Sequence, residues 1–260
     1  MLVDSHCHLN YPELSDLDAV LREAENAGVG LMQTISCKRS DFDEVIALCE
    51  RDERIYGSIG IHPHEAENHT DITVEELVKR ASHPKIIGIG ETGLDYFYEH
   101  SPREIQQRSF RIHIEAARQT GLPLIVHTRD ADEDTIAILH EEYAKGPFKG
   151  LIHCFSTSKE LAEKAMEIKF SISLSGILTF KKAEELRETV RSLPMESLLV
   201  ETDAPYLAPL PHRGKPNQPA YTRLTAEKLA EIKGLSYDEL AKITTHNFFT
   251  LFDKAKGHAH

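Results

Sequence analysis

No run of apolar residues in this 260-residue chain approaches the ~20 that a bilayer span requires, so no transmembrane helix is expected. The opening MLVDSHCHLN carries charge where a leader would set a basic segment before an apolar one. A soluble, cytoplasmic protein is therefore expected. Cysteine is scarce. Cys7, Cys37, Cys49 and Cys154 are too few for a disulfide framework and lack CxxC spacing, and all four read as reduced core residues. Positive charge is also in short supply: 30 Lys and Arg face 42 Asp and Glu, for a formal net charge of -12. That balance opposes broad adhesion to nucleic acid, which rests on Lys and Arg neutralising phosphates; bound cations would have to attract any polyanionic substrate. Internal repeats and low-complexity linkers are missing, and nothing marks an obligate protein partner.

What is present is a length and a rhythm. Near 250 residues is typical of one closed α/β barrel, and 40% of the chain is hydrophobic. Short Val- and Ile-rich runs alternate with segments of helical periodicity, the pattern of a parallel sheet. Strands are expected at 2–6, 30–36, 55–61, 85–91, 122–127, 150–153, 169–174 and 197–201. The fold class is thus α/β, a (β/α)8 TIM barrel forming a single domain over 1–260, with HAH at 258–260 as a mobile tail. Helix ends support this. Asp16 precedes a stripe of Leu17, Leu21 and Ala24 that stops at Gly28. Ser101-Pro102-Arg103-Glu104 reads as a capping box with proline at the first helical position, ending at Gly121. The stretch 236–252 reads as one or two short helices closing the barrel. Five prolines between 204 and 220 exclude regular structure there, and so long a loop after the last strand points to function.

In such a barrel the reacting groups follow the C-terminal ends of the strands. That rule selects His6 and His8, Glu91, His127, His153 and Asp203. Histidine is plentiful at 15, enough to produce roughly one HxH by chance. Chance does not readily spread four imidazoles and two carboxylates over matching strand ends. Such a set suits two divalent metals, with a carboxylate bridging them. Side chains at i and i+2 share a face, so His6 and His8 point together into the mouth. By the same rule Glu201 is placed to orient Asp203 from beneath, and Asp4 to support His6.

The blocks SHCH at 5–8, GIHPH at 60–64, IGETGLDY at 89–96, VHTR at 126–129, HCFS at 153–156, ETDAPYL at 201–207 and RGKPN at 213–217 together resemble the TatD-type metal-dependent deoxyribonucleases, of the amidohydrolase-like superfamily. The resemblance covers nearly the whole chain. It implies a two-metal phosphodiesterase with His6, His8 and Asp203 on one metal, His127 and His153 on the other, and Glu91 bridging where related barrels use a carboxylated lysine. It also implies magnesium, whereas imidazole-rich sites favour zinc or manganese, so the tightest ion is expected to be zinc-like. A shared, metal-activated water would attack phosphorus. Asp203 is the expected general base, and His62 or His64 the group that stabilises or protonates the departing alkoxide. Arg129 and Arg213 are candidates for holding phosphate, and Tyr96, with Phe97 and Tyr98, for stacking a base.

Single-stranded or damaged DNA is the substrate class the resemblance supplies, attacked in 3′-to-5′ or repair fashion. The same water on an ester or amide is a second reading, for example aminoacyl-tRNA deacylation or hydrolysis of a small cyclic amide. A metal-loaded binding or quality-control protein with a vestigial site is a third, and the intact ligand set argues against it.

Overall fold

The computed structural model describes the backbone of residues 1–258 and side chains through 256. The expected tail at 258–260 therefore lies outside the described residues, except for the backbone of His258.

Strand and helix alternate in chain order: β1 (Leu2–Cys7), α1 (Leu17–Asn26), β2 (Val29–Ile35), α2 (Asp41–Arg51), β3 (Ile55–Ile59), α3 (Val74–Ala81), β4 (Ile86–Asp95), α4 (Arg103–Thr120), β5 (Leu124–Arg129), α5 (Asp132–Lys145), β6 (Gly150–Ile152), α6 (Lys159–Glu167), β7 (Ser171–Leu174), α7 (Glu184–Ser192), β8 (Leu198–Val200), α8 (Thr222–Lys233) and α9 (Tyr237–Leu251). Each strand pairs in parallel with the next, in the order β1 to β8. All eight expected strands are found. The ring joins beyond the end of β8, where Asp203 N–H donates to His6 C=O at 2.9 Å and His8 N–H to Ala204 C=O at 2.8 Å. Below this join, the Asp4 carboxylate accepts from Thr202 N–H at 2.9 Å and from its hydroxyl at 2.6 Å. The last seam of the barrel is thus closed by the segments that carry candidate site residues.

Two apolar layers support this mouth. One lies between sheet and helices and includes Leu2, Met32, Phe42, Phe110 and Leu229. The other fills the bottom of the barrel with Val3, Leu31, Tyr56, Ile87, Ile125, Leu151 and Leu199, stoppered by Phe248, Leu251 and Phe252. Each such side chain contributes roughly 1.5–3 kcal/mol. Phe248 and Leu251 belong to a single 15-residue helix, α9, with Phe252 at its C-cap, and the start of α9 carries a full capping box of Ser236 and Glu239.

Two expectations need correction. The strand expected at 85–91 runs on to Asp95, because glycines at 90 and 93 let it shift register against β5 rather than turn. Ser101 does not cap α4: Pro102 holds the N-cap position without a side-chain bond. The Ser101 hydroxyl instead donates to His64 C=O at 2.9 Å and accepts from Glu67 N–H at 3.0 Å, which ties down the loop after β3. The proline-rich loop is likewise pinned. Buried Asn217 donates its amide to Thr202 C=O at 2.9 Å and to Tyr206 C=O at 2.6 Å.

His113 in α4 is wholly buried, accepts from Ile61 N–H at 2.9 Å and donates to Ser109 C=O at 2.7 Å. Both ring nitrogens are committed in the neutral form. Burial outweighs the Ser109 bond and pulls its pKa down to about 4. A proton therefore binds the unfolded chain first. The stability this residue contributes is present above pH ~6.5 and is lost as pH falls towards 4, by about 3 kcal/mol in all. Denaturant unfolding followed between pH 7 and 4 should show a steeper loss for wild type than for His113→Gln, and parallel curves would remove His113 as the cause.

Candidate metal centre

The six strand-end residues come together because the sheet is closed and because β4 is irregular. Glu91 lies between two glycines with left-handed φ, Gly90 at 139° and Gly93 at 138°. A Cβ at Gly93 would lie 2.0 Å from the His127 carbonyl oxygen, so only glycine lets β4 press against β5 here. That approach pairs Gly93 with His127 and lets the Glu91 carboxylate reach the His127 ring. Between His6 and His8, Cys7 turns away and donates its thiol to Gln33 C=O.

Glu91 is the centre of the arrangement, with its side chain 3% exposed. Its Oε2 lies 3.4 Å from His6 Nε2. Its Oε1 lies 2.8 Å from His153 Nε2, 3.1 Å from His127 Nδ1 and 3.4 Å from His62 Nε2. Asp203 Oδ1 is 3.4 Å from His8 Nε2 and 3.7 Å from His6 Nε2. The His6 and His153 rings stack at 3.9 Å. Four sets among the described residues have donor atoms within 4.8 Å of one another: His6, His8 and Asp203; His62, Glu91 and His127; His6, His153 and Glu201; and His8, Cys37 and Glu91.

The donor set fits divalent cations. Both ring nitrogens of wholly buried His6 lack any hydrogen bond, an arrangement that costs free energy unless something else meets the lone pair. Burial, with the neighbouring His153, lowers the pKa of His6, and burial takes that of His62 well below the usual value. Both rings are held neutral, the form that binds metal. Burial would raise Glu91, but the charge of His153 and the bonds from His127 and His153 overcome it and hold the carboxyl well below its usual range. Asp203 is likewise lowered against its burial by the bond from His8 and the charges of His153 and His8.

Around this centre the orienting groups differ from expectation. Glu201 does not reach Asp203. Its Oε1 accepts from Cys154 N–H at 2.8 Å and lies 3.3 Å from His153 Nδ1. Asp4 holds Thr202 and the His6 backbone N–H rather than the His6 ring. His64 lies off Glu91, with Nε2 2.9 Å from Asp95 Oδ2. Asp95, which the strand-end rule missed, is buried and also sits 3.1 Å from His127 Nε2. It accepts from Phe97 and Tyr98 N–H, and its own N–H donates to Gln106. Its signal was available: Asp95 lies two pleats beyond Glu91 on the same face.

Above the centre opens a cavity of about 1270 Å³. Arg129, Tyr96 and Tyr98 line it, opposite Tyr11 and Tyr206. Arg129 forms no ion pair among the described residues; its guanidinium lies 4.0 Å over Phe97 and 4.8 Å over Tyr98. One face of Tyr96 is covered by Arg103 at 4.1 Å, and its hydroxyl donates to Asp134. Arg213 packs 4.4 Å over Phe180 and is not in the cavity lining.

The profile of the TatD related DNase family matches residues 3–253. The metal-dependent hydrolase YcfH of Escherichia coli (strain K12) is 44% identical over 255 residues, spanning 96% of this chain and 95% of its own. The metal-dependent hydrolase YabD of Bacillus subtilis (strain 168) is 39% identical over 253 residues, 97% of this chain and 99% of its own. Among solved structures, the TatD homologue YjjV of Escherichia coli K12 superimposes with a TM-score of 0.90 at 30% identity, covering 97% of this chain and 98% of its own.

Asp95 fixes the far nitrogen of His127, so Asp95→Asn should weaken divalent-metal binding by about 10- to 100-fold. Titrating metal-stripped wild type and variant with Zn or Mn by calorimetry checks this; equal affinities would show that Asp95 does not orient a ligand.

Proposed function

This chain belongs to the TatD related DNase family and is a metal-dependent hydrolase, and we propose that it is a two-metal deoxyribonuclease acting on single-stranded or damaged DNA. One observation carries the reading: the two oxygens of Glu91 face different imidazole sets, His6 on one side and His62, His127 and His153 on the other. His6, His8 and Asp203 would hold one cation and His127 and His153 the other, with Glu91 between them. When bound, the pair supplies a hydroxide near neutral pH and charge stabilisation for a pentavalent phosphate. Zinc or manganese suits the imidazole-rich donors better than magnesium does.

The chain's own residues do the rest. Asp203 has its Oδ1 towards His6 and His8 at the floor of the cavity, and there it takes the proton of the attacking water. Cleavage of the P–O bond leaves an alkoxide. His64, in the cavity wall with Nε2 against Asp95, would protonate it. His62 lies deeper and within reach of Glu91 Oε1, which suits it to the metals more than to the leaving group. Arg129 has no carboxylate partner among the described residues and meets phosphate at the rim.

A second reading has one observation in its favour. Asp130, Asp132, Glu133 and Asp134 line the same cavity, a rim that repels a polyanion and tolerates a neutral ester or amide, as in aminoacyl-tRNA deacylation. A cytoplasmic location belongs to the proposal too; among the described residues no helix is long and apolar enough to cross a membrane.

The discriminating assay is cleavage of end-labelled single-stranded DNA by metal-stripped protein reconstituted with Mg, Mn or Zn. Wild type should shorten the label. Asp203→Asn should do so about 10²- to 10⁴-fold more slowly, and Glu91→Ala should be inactive. Bound metal without cleavage under any ion would transfer the proposal to ester or amide hydrolysis.

A further inference from the structure

Four large apolar side chains are strongly exposed among the described residues: Met1, Phe97, Tyr98 and Tyr206. Isolated exposed apolar residues are ordinary, but Tyr98 and Tyr206 line the cavity and Phe97 packs against Tyr98 beside it. Phe97 and Tyr98 follow β4, and Tyr206 follows β8. In a ring of eight consecutive strands those two positions are diametrically opposite. Each side is a built wall. On one, Phe97 and Tyr98 stand edge to face at 4.8 Å with Arg129 over both rings, yet they stay 53% and 50% exposed. On the other, Tyr206, 52% exposed, stands edge-on to Tyr11 at 6.0 Å. The candidate metal centre lies between.

We propose that these two walls are nucleobase-stacking subsites, one on each side of the scissile phosphate. This rests on the nuclease reading above. Aromatic faces and guanidinium planes stack unpaired bases whatever their sequence, and a duplex offers no free base faces. Charge cannot substitute for stacking here. The lining carries four carboxylates just after β5, Asp130 and three in the first turn of α5, against two arginines, Arg103 and Arg129, and Arg103 is paired with Glu99. Only Arg129 is free to neutralise a phosphate, so binding should depend weakly on salt.

The test compares a thymidine tetranucleotide with an abasic tetranucleotide of the same backbone charge. Wild type should show the lower KM for the thymidine substrate. Tyr98→Ala and Tyr206→Ala should each raise that KM by about 5- to 150-fold and leave the abasic substrate unchanged, while Tyr98→Phe and Tyr206→Phe stay near wild type. Between about 50 and about 200 mM salt, KM should rise by no more than about threefold, the slope for one phosphate. Equal losses on both substrates, or a salt effect above about tenfold, would overturn the stacking subsites. Binding is read separately from cleavage: the chain has no tryptophan, so tyrosine emission of metal-stripped protein reports base contact. Quenching by the thymidine but not the abasic strand supports the subsites even if no ion supports cleavage, an outcome that would sink the nuclease reading alone. Quenching by both strands or by neither overturns the subsites.

Discussion

A carboxylate buried among imidazoles is the constraint on which the mouth of this barrel depends. Glu91 has four imidazole nitrogens within 3.4 Å, from His6, His62, His127 and His153. An unpaired carboxylate at this depth would cost several kcal/mol, and the surrounding structure exists to offset that cost. The two left-handed glycines of β4 bring its backbone close enough to β5 for Glu91 to meet His127. The short seam from β8 back to β1 delivers Asp203 beside His6 and His8. Loosening either would separate the carboxylates from the imidazoles and leave both sets buried without partners.

Such a cluster contributes little net stability, since buried charges at best break even with apolar packing. The barrel therefore divides its labour along its axis. The bottom is filled with aliphatic and aromatic side chains and sealed by the end of α9. The top holds the polar centre. Between them, Ser5 and Ser173 bond hydroxyl to hydroxyl at 3.0 Å, and Asp4 ties Thr202 into the seam. Burial drives the Asp4 pKa up to about 7 against the bonds from Thr202, so this tie sits close to the limit of what a buried carboxylate tolerates.

The strand count and the six clustered residues were legible in the sequence because two periodic signals coincide: apolar runs at strand spacing, and chemistry-bearing residues directly after them. What was not legible depends on contacts across the ring. Glu201 was assigned to Asp203 by pleat alternation, but the groups its carboxylate meets lie past the end of β6, two strands along, at His153 Nδ1 and the Cys154 N–H donor, 48 and 47 residues away. Asp95 was missed because the expected strand ends at Glu91, while in the fold the glycines at 90 and 93 carry it forward to Asp95. Ser101 satisfied every local rule for a helix cap, yet its hydroxyl bonds to His64 and Glu67. Local rules name a residue's preferences; the closed sheet decides which partner is within reach.

The acidic surface and the phosphodiester reading can be reconciled only if few phosphates enter. A protein that tracked a duplex would gain its affinity by releasing counterions along many phosphates, and a net charge of -12 with four carboxylates at the rim works against that at every step. A chain end or a single-stranded segment presents one or two phosphates to the centre. There the repulsion is small, and the attraction is concentrated at the imidazole–carboxylate cluster and on the ring faces above it. On that reading, the electrostatics of the rim would exclude a duplex, while the buried centre would act on a chain end or single strand.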